Sequence, residues 1–290
     1  MVVAGVCSSV GTPLGTAVPP LCMNVRNPSE FLLIGMVHLP PLPGSPGNTG
    51  IDDALKRAMA DVTALEQGGV DAILVENFGD VPFYPDDVPK HTVASMTRIA
   101  TELTEAIDVP MGVNVLRNDV PAAVAIAGAV GGQFVRANVH AGTRITDQGI
   151  IEGRAHETIR LREQLDPEIA VLADVDVKHS APVSPGYDPA TALEDVVERG
   201  LADGVIVSGS ATGKKADPEY VSDLCEAVTE TSRSVPVFVG SGVDVDNVEH
   251  YLEIADGAIV GSAFKPDGDL RNPVEAELVE TLVRRTRRKG

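Results

Sequence analysis

The residues best suited to chemistry stand in short runs where charged side chains alternate with small apolar ones. Ala173-Asp-Val-Asp-Val-Lys-His179 puts Asp174, Asp176 and Lys178 at every second position, and Val135-Arg-Ala-Asn-Val-His140 does the same for Arg136, Asn138 and His140. A period of two belongs to a β-strand, with one face apolar and the other carrying the charges. Other apolar runs end on related residues: His38, then Glu76 with Asn77, then Asn114 followed by Arg117 and Asn118, and later Ser208. Charges placed on an inner face need partners or a ligand. A carboxylate and an imidazole sharing such a rim suit proton transfer, with Glu76 or Asp174 as base and His38 or His179 as acid in an isomerisation or epimerisation. Asn77, Asn114, Arg117, Arg136, Asn138, Asp176 and Ser208 are then the candidate substrate contacts. Lys178 is either an electrostatic clamp or a Schiff-base nucleophile. Ion pairing with Asp174 and Asp176 would hold it protonated, which favours the clamp. A divalent metal on His38, Asp174, Asp176 and His179 is the alternative, but these residues show no sequence-local ligand spacing, and no cofactor is required. The competing structural reading is a self-satisfied network in which Lys178 and Arg136 neutralise Asp174, Asp176 and Glu76.

A second signal is glycine. Val239-Gly-Ser-Gly-Val243 and Gly257-Ala-Ile-Val-Gly-Ser-Ala-Phe264 end consecutive apolar runs, and Gly240, Ser241, Gly242, Gly261 and Ser262 are expected to cradle a phosphate through backbone N–H groups. A helix starting near Asp246 or Asn247 would add its dipole. Gly209 and Gly213, with Lys214 or Lys215 near the anion, either offer a third wall or belong to a solvated mobile loop. Lys265 is either an anion contact or a surface residue.

These residues need elements that bring them to one rim. From Phe31 onward, β-rich runs alternate with amphipathic stretches. The expected strands are 31–39, 70–78, 109–116, 133–140, 169–179, 204–209, 235–243 and 257–264. The expected helices are 51–67, 89–107, 119–130, 152–165, 189–200, 217–231, 246–255 and 274–288. Eight of each in strict order predict an α/β fold, a closed (β/α)8 TIM barrel over residues 30–290. An open doubly wound sheet is the alternative, although no Gly-rich turn follows the first strand and Gly209–Lys215 does not complete a Walker A motif. In such a barrel, loops after the last two strands commonly hold phosphate, and the chemistry sits at the C-terminal rim. Residues 1–29 carry prolines and almost no charge. They read as a disordered extension or a mis-called start, with Met23 a candidate first residue.

The chain has 290 residues, 42 acidic and 23 basic side chains and a net charge of −19, and only seven of the basic residues are lysine. That balance argues against nucleic acid as a partner, and no apolar run is long enough to span a membrane. It also suits a salt-adapted, halophilic cytoplasm with an acidic proteome, where charge repulsion is screened. Cys7, Cys22 and Cys225 form neither a disulfide framework nor a zinc motif and fit a reducing compartment, with Cys225 read as packing. The expected partner is a small phosphorylated substrate or metabolite. Self-association into a homo-oligomer is left open.

Ile34-Gly-Met-Val-His-Leu-Pro-Pro-Leu-Pro-Gly-Ser-Pro46, Val75-Glu-Asn-Phe-Gly-Asp80, Gly112-Val-Asn-Val-Leu-Arg-Asn-Asp119 and Thr146-Asp-Gln-Gly-Ile-Ile-Glu-Gly153 together resemble the BtpA/SgcQ family, from about Leu32 to Pro273. The resemblance implies a barrel of the ribulose-phosphate-binding type. It implies three directions for function: a photosystem I biogenesis or assembly factor, a nucleotide-acting enzyme, or a phosphoribosylanthranilate isomerase. The family tends to carry His where this chain has Asp176. The carboxylate keeps an inward polar group able to bind a metal or accept a proton, but argues against a mechanism needing imidazole there.

Overall fold

The structure is a computed structural model and describes residues 25–208 and 216–287. The chain runs β1 (Leu32–His38), α1 (Ile51–Gly68), β2 (Ala72–Glu76), α2 (Lys90–Ala106), β3 (Met111–Asn114), α3 (Val120–Val130) and β4 (Phe134–Ala137). It then forms a hairpin of β5 (Thr143–Thr146) and β6 (Gly149–Glu152), followed by α4 (Ala155–Leu165), β7 (Ala170–Asp174) and β8 (Ser180–Pro182). Next come α5 (Pro189–Glu194), β9 (Gly204–Ser208), α6 (Pro218–Thr229), β10 (Val237–Gly240), β11 (Gly257–Val260) and α7 (Ala276–Thr286). Eight strands close a parallel barrel in the order β1-β11-β10-β9-β7-β4-β3-β2, and β6-β5-β8 make a separate three-stranded sheet. The expected TIM barrel is the fold observed.

Local chemistry explains the helix starts. Asp119, Asp188 and Asp217 each precede a helix with proline in its first turn, and each carboxylate accepts an N–H of that turn. Two helices differ from expectation. The 189–200 stretch is α-helical only to Glu194 and continues as a π turn over Asp195–Arg199. The segment expected to be helical over 246–255 contains a 3-10 turn, Val248–His250. Asn247 is drawn back into the preceding loop, donating to Gly242 O at 2.7 Å and accepting from Asp244 N at 2.9 Å, so no α-helix dipole points at the glycines.

Strand parity separates two apolar layers. Leu33, Val37, Ile73, Val75, Val135, Val171 and Val205 face the helices. Leu32, Ile34, Leu74, Phe134, Leu172, Ile206, Phe238 and Ile259 fill the barrel interior together with Val25. Val25 is buried against this interior layer, and Arg26 donates to Ile169 O at 3.0 Å.

The N-terminal end of the barrel repeats one device four times. Asp71, Gln133, Asp203 and Asp256 immediately precede β2, β4, β9 and β11. Each accepts a first-turn N–H of the preceding barrel strand: Leu33 at 2.8 Å, Met111 at 2.8 Å, Val171 at 2.9 Å and Val237 at 2.8 Å. The acceptors satisfy N–H groups at the ends of β1, β3, β7 and β10, tying the barrel in strand pairs.

Lys265 is neither an anion contact nor a surface residue. Its Nζ is buried 3.5 Å from Asp61 and donates to the carbonyls of Leu270 and Asn272 at 3.3 and 2.9 Å. Asp61→Ala leaves that ammonium without its carboxylate and should destabilise the fold by about 3–5 kcal/mol in urea unfolding. The double variant Asp61→Ala/Lys265→Met should recover part of the loss, and equal losses in both variants would contradict the pairing.

Candidate active site at the barrel mouth

The inward parity that carries leucine and phenylalanine low in the barrel carries polar groups at its C-terminal end. His38, Glu76, Asn114, Arg136, Asp174 and Ser208 continue the interior faces of β1, β2, β3, β4, β7 and β9, and all except half-buried Arg136 are buried. Arg136 grips Asp174 bidentately, with Nε and Nη2 each 2.9 Å from a carboxylate oxygen. Asn138 donates to the same carboxylate at 3.0 Å, and Ser208 Oγ lies 3.5 Å away. Glu76 accepts from Asn114 Nδ2 at 2.8 Å. Burial raises the Glu76 pKa, against the opposing pull of Arg136 and Arg117. Burial opposes the charge on Arg136 too, but the Asp174 and Glu76 carboxylates outweigh it and raise its pKa.

Three buried polar atoms of this layer have no hydrogen-bond partner among the described residues: His38 Nδ1, Asn114 Oδ1 and Asn138 Oδ1. Such atoms are costly without a ligand or water to meet them. His38 lies edge-on to Phe78, with ring centroids 5.1 Å apart. Its pKa falls to about 3 through burial first and then the charges of Lys265 and Arg136, so the imidazole is neutral at pH 7.

The glycines serve this layer sterically. A Cβ on Gly261 would come within 2.6 Å of the His38 ring, and one on Gly240 within 2.4 Å of Ile206 and 3.0 Å of Ser208 Oγ. Both glycines therefore let the inner polar groups pack. Beyond them, Ser241 and Gly242 take positive φ values of 73° and 77° as the chain turns, and Gly261 caps a single 3-10 turn, Ser262–Phe264. Gly209, Gly213, Lys214 and Lys215 lie outside the described residues.

Several expected placements change because β7 stops at Asp174. Asp176 does not enter the interior: it pairs with Arg144 of β5 at 2.8 Å and accepts from the Tyr220 hydroxyl of α6 at 2.5 Å. Lys178 is half-buried and ion-pairs with neither aspartate, since Arg136 and Arg144 already hold them. Burial, then the nearby Arg136, lowers its pKa, with Asp174 pulling the other way. The ion pairing expected to keep Lys178 protonated is absent. His179 is exposed, with φ 58°. The four residues weighed as metal ligands therefore do not converge, and no group of three or more His, Cys, Asp or Glu side chains among the described residues is placed to hold a metal.

A further expectation is corrected. His140 leaves the interior and its Nε2 lies 2.7 Å from Gly200 O. The amide of Asn77 bonds within the loops, donating to Asp80 at 3.1 Å and accepting from Leu116 N at 2.7 Å, and Asn77 lines the neighbouring cleft. Cys225 packs in α6, its thiol pushed up to about 12, chiefly by burial.

Arg117 is buried over the mouth, donates to the Lys178 carbonyl and senses Asp174, Glu76 and, from the β5–β6 turn, Asp147. The hairpin thus belongs to the site's surroundings. Arg144, its contribution to the loop after β7, went unrecognised in the sequence; its only signal was a buried position between Thr143 and Ile145 in a short alternating run. A cleft of about 380 Å³ opens nearby among Ser45, Asp80, Phe83, Tyr84 and His91, but it has no Lys or Arg in its lining. None of the described unpartnered buried atoms belongs to its lining either, so the barrel mouth is the stronger candidate.

Comparisons with known proteins agree with the architecture. The chain is 48% identical over 252 residues to an uncharacterized protein from Thermococcus kodakarensis, covering 87% of this chain and 93% of that one. It is 45% identical over 253 residues to the photosystem I biogenesis protein BtpA of Synechocystis, covering 87% and 86% of the two chains. Among solved structures, N-(5'-phosphoribosyl)anthranilate isomerase from Pyrococcus furiosus superposes with a TM-score of 0.54 at 16% identity, over 89% of this chain and 98% of that one. Tryptophan synthase from M. tuberculosis gives 0.57 at 22% identity, over 91% and 95%. At these identities the likeness is one of fold. The BtpA family pattern matches residues 29–288, and the chain belongs to the BtpA family.

Proposed function

We propose that this protein is an acid–base enzyme acting on a phosphorylated sugar or related small phosphate ester, in the manner of an isomerase or epimerase. The observation that carries the reading is the composition of the mouth. Arg117 and Arg136 act on both Glu76 and Asp174, and Lys178 on Asp174, beside three unpartnered buried polar atoms. Within this inner layer three cations face two carboxylates, with Asp147 of the hairpin acting on Arg117 from outside it, in a chain whose net charge is −19. A local cationic excess favours an anionic ligand. The amides of Asn114 and Asn138 suit sugar hydroxyls.

Within this reading Glu76 carries the proton. Its raised pKa brings it nearer the operating pH, where a general acid or base works best. Asp174 is a positioning residue, because its carboxylate is spent on Arg136 and Asn138. His38 acts as a neutral imidazole, a hydrogen-bonding group rather than an imidazolium acid. The phosphate would rest on the turns at Gly240–Gly242 and Gly261–Ser262, at the same end of the barrel. Remote phosphate contacts would orient the reacting carbons over Glu76.

A second reading is an assembly factor, as the name of the Synechocystis relative suggests. One feature favours it: Ile145 and Ile150 face each other across the β5–β6 hairpin and are 47% and 65% exposed. Thermal melts of the full chain with millimolar ribose 5-phosphate, ribulose 5-phosphate or adenosine monophosphate separate the two. A ligand present at a hundred times its Kd should raise the melting temperature by about 5 °C or more. Glu76→Gln should keep that rise while lowering turnover of the stabilising compound by about 10²-fold or more. No response to any of the three favours the assembly role.

The His38 environment makes a separate prediction. Its folded-state pKa of about 3 lies below the ordinary value of 6.5. As pH falls through that window, the unfolded chain takes up a proton the folded chain refuses, so stability declines with falling pH. His38→Gln should flatten the decline in urea unfolding measured below pH 6.5, while His140, also depressed by burial, retains its own share. An unchanged slope would contradict a desolvated imidazole at position 38.

A further inference from the structure

We propose that Lys178 captures the carbonyl carbon of the substrate as an amine nucleophile, which narrows the substrate class to aldehydes and ketones. The inference rests on the mouth being a substrate site, as argued above, but adds a covalent step to it. Four lysines lie in the described residues. Lys56 and Lys90 are exposed, and Lys265 is buried against Asp61 and two carbonyls. Lys178 differs from all three: it is half-buried at the rim, and among the described residues its ammonium has no ion pair. Both carboxylates that the sequence offers it are committed elsewhere. Asp174 takes two hydrogen bonds from Arg136 and one from Asn138, while Asp176 takes Arg144 and Tyr220.

Position is fixed as well. The Lys178 carbonyl accepts from Arg117, so the loop after β7 is held by the loop after β3, beside the cations that would receive an anionic substrate. Asp174, the last residue of β7, lies four positions before Lys178 in the same chain segment, so the lysine leaves the barrel directly beside the polar layer. Burial and Arg136 lower its pKa, enlarging the neutral fraction that can attack.

The step balances as follows. The neutral amine donates its lone pair to the carbonyl carbon, a C–N bond forms, and the carbonyl π electrons move to oxygen. One proton passes from nitrogen to that oxygen, giving a carbinolamine. A second proton, from the Glu76 carboxyl, lets the hydroxyl leave as water while the nitrogen lone pair forms the C=N bond. The products are a protonated imine, one water and a Glu76 carboxylate, which is then able to take a proton from the carbon next to the imine.

The full chain is incubated with ribose 5-phosphate, glyceraldehyde 3-phosphate or pyruvate and sodium cyanoborohydride, which delivers hydride to any protonated imine, and adducts are mapped by peptide mass spectrometry. Lys178 should be modified at about tenfold lower carbonyl concentration than the exposed Lys56 and Lys90. Lys178→Arg should lose the selective adduct yet keep ligand-induced thermal stabilisation. Modification spread evenly over the exposed lysines, with stabilisation intact, overturns the covalent step and leaves the acid–base reading standing. Absence of stabilisation by every phosphorylated compound counts against that reading instead, whatever the adduct map shows.

Discussion

The buried pair of Arg136 and Asp174 sets the terms for everything at the barrel mouth. Two charges taken out of water carry a heavy desolvation cost, which their bidentate geometry and the added hydrogen bond from Asn138 offset. Apolar side chains of similar volume would serve stability at least as well. What they could not do is arrange the neighbours. Arg136 occupies the carboxylate that Lys178 would otherwise find and adds a positive charge nearby. The glycine at 240 has a different cause, since a Cβ there would meet the Ile206 side chain at 2.4 Å and Ser208 Oγ at 3.0 Å.

The two ends of the barrel are built on different principles. At the N-terminal end four side-chain acceptors repeat at the same place in four strand pairs, each meeting one backbone N–H. That regularity is what stability alone requires. At the C-terminal end each strand supplies a different group, some acceptors stay unpartnered, and the loops after β4 and β7 leave the barrel to pair as β5 and β8. Arg144 and Arg117 reach from those and neighbouring loops to hold the segment carrying Asp176 and Lys178. Unpartnered buried atoms are not confined to that end, since Arg162 Nε beside Asp203 is another; what sets the C-terminal end apart is that three of them, on His38, Asn114 and Asn138, share one inward-facing layer.

Much of this was legible in the sequence because a strand's period is two and the outer barrel face must be apolar. Val135 and Ala137 around Arg136, or Ala173 and Val175 around Asp174, fix the direction of the charged side chain without any knowledge of its partners. The same rule failed once the strand ended. Val175 and Val177 stay buried beyond Asp174, so the alternation continues in the sequence while the backbone has turned into a loop, and Asp176 meets Arg144 instead of the interior. Lys178 shows the limit most clearly. Its surroundings depend on Arg136 and Arg144, which lie 42 and 34 positions away in chain order, and no local pattern reports that both neighbouring aspartates are already taken. Lys265 misled for a similar reason, since its partner Asp61 lies in α1. The 246–255 segment failed on short-range grounds, because Asn247 bonds backward to Gly242 and Asp244 rather than starting a helix.

The charge distribution joins fold and site. The anionic ligand proposed above would meet repulsion at long range from a chain of net charge −19 and attraction at the mouth. At about 0.1 M salt the screening length is about 10 Å, so surface carboxylates still oppose the approach; at about 1 M it is about 3 Å, and they largely drop out. The Arg117, Arg136 and Lys178 group loses less, because charges withdrawn from solvent are screened less than exposed ones. Concentrated salt therefore weakens the opposing field more than the attracting one. An acidic exterior and the anion site proposed above are compatible in one protein on this ground, and their compatibility depends on the mouth cations staying withdrawn from water.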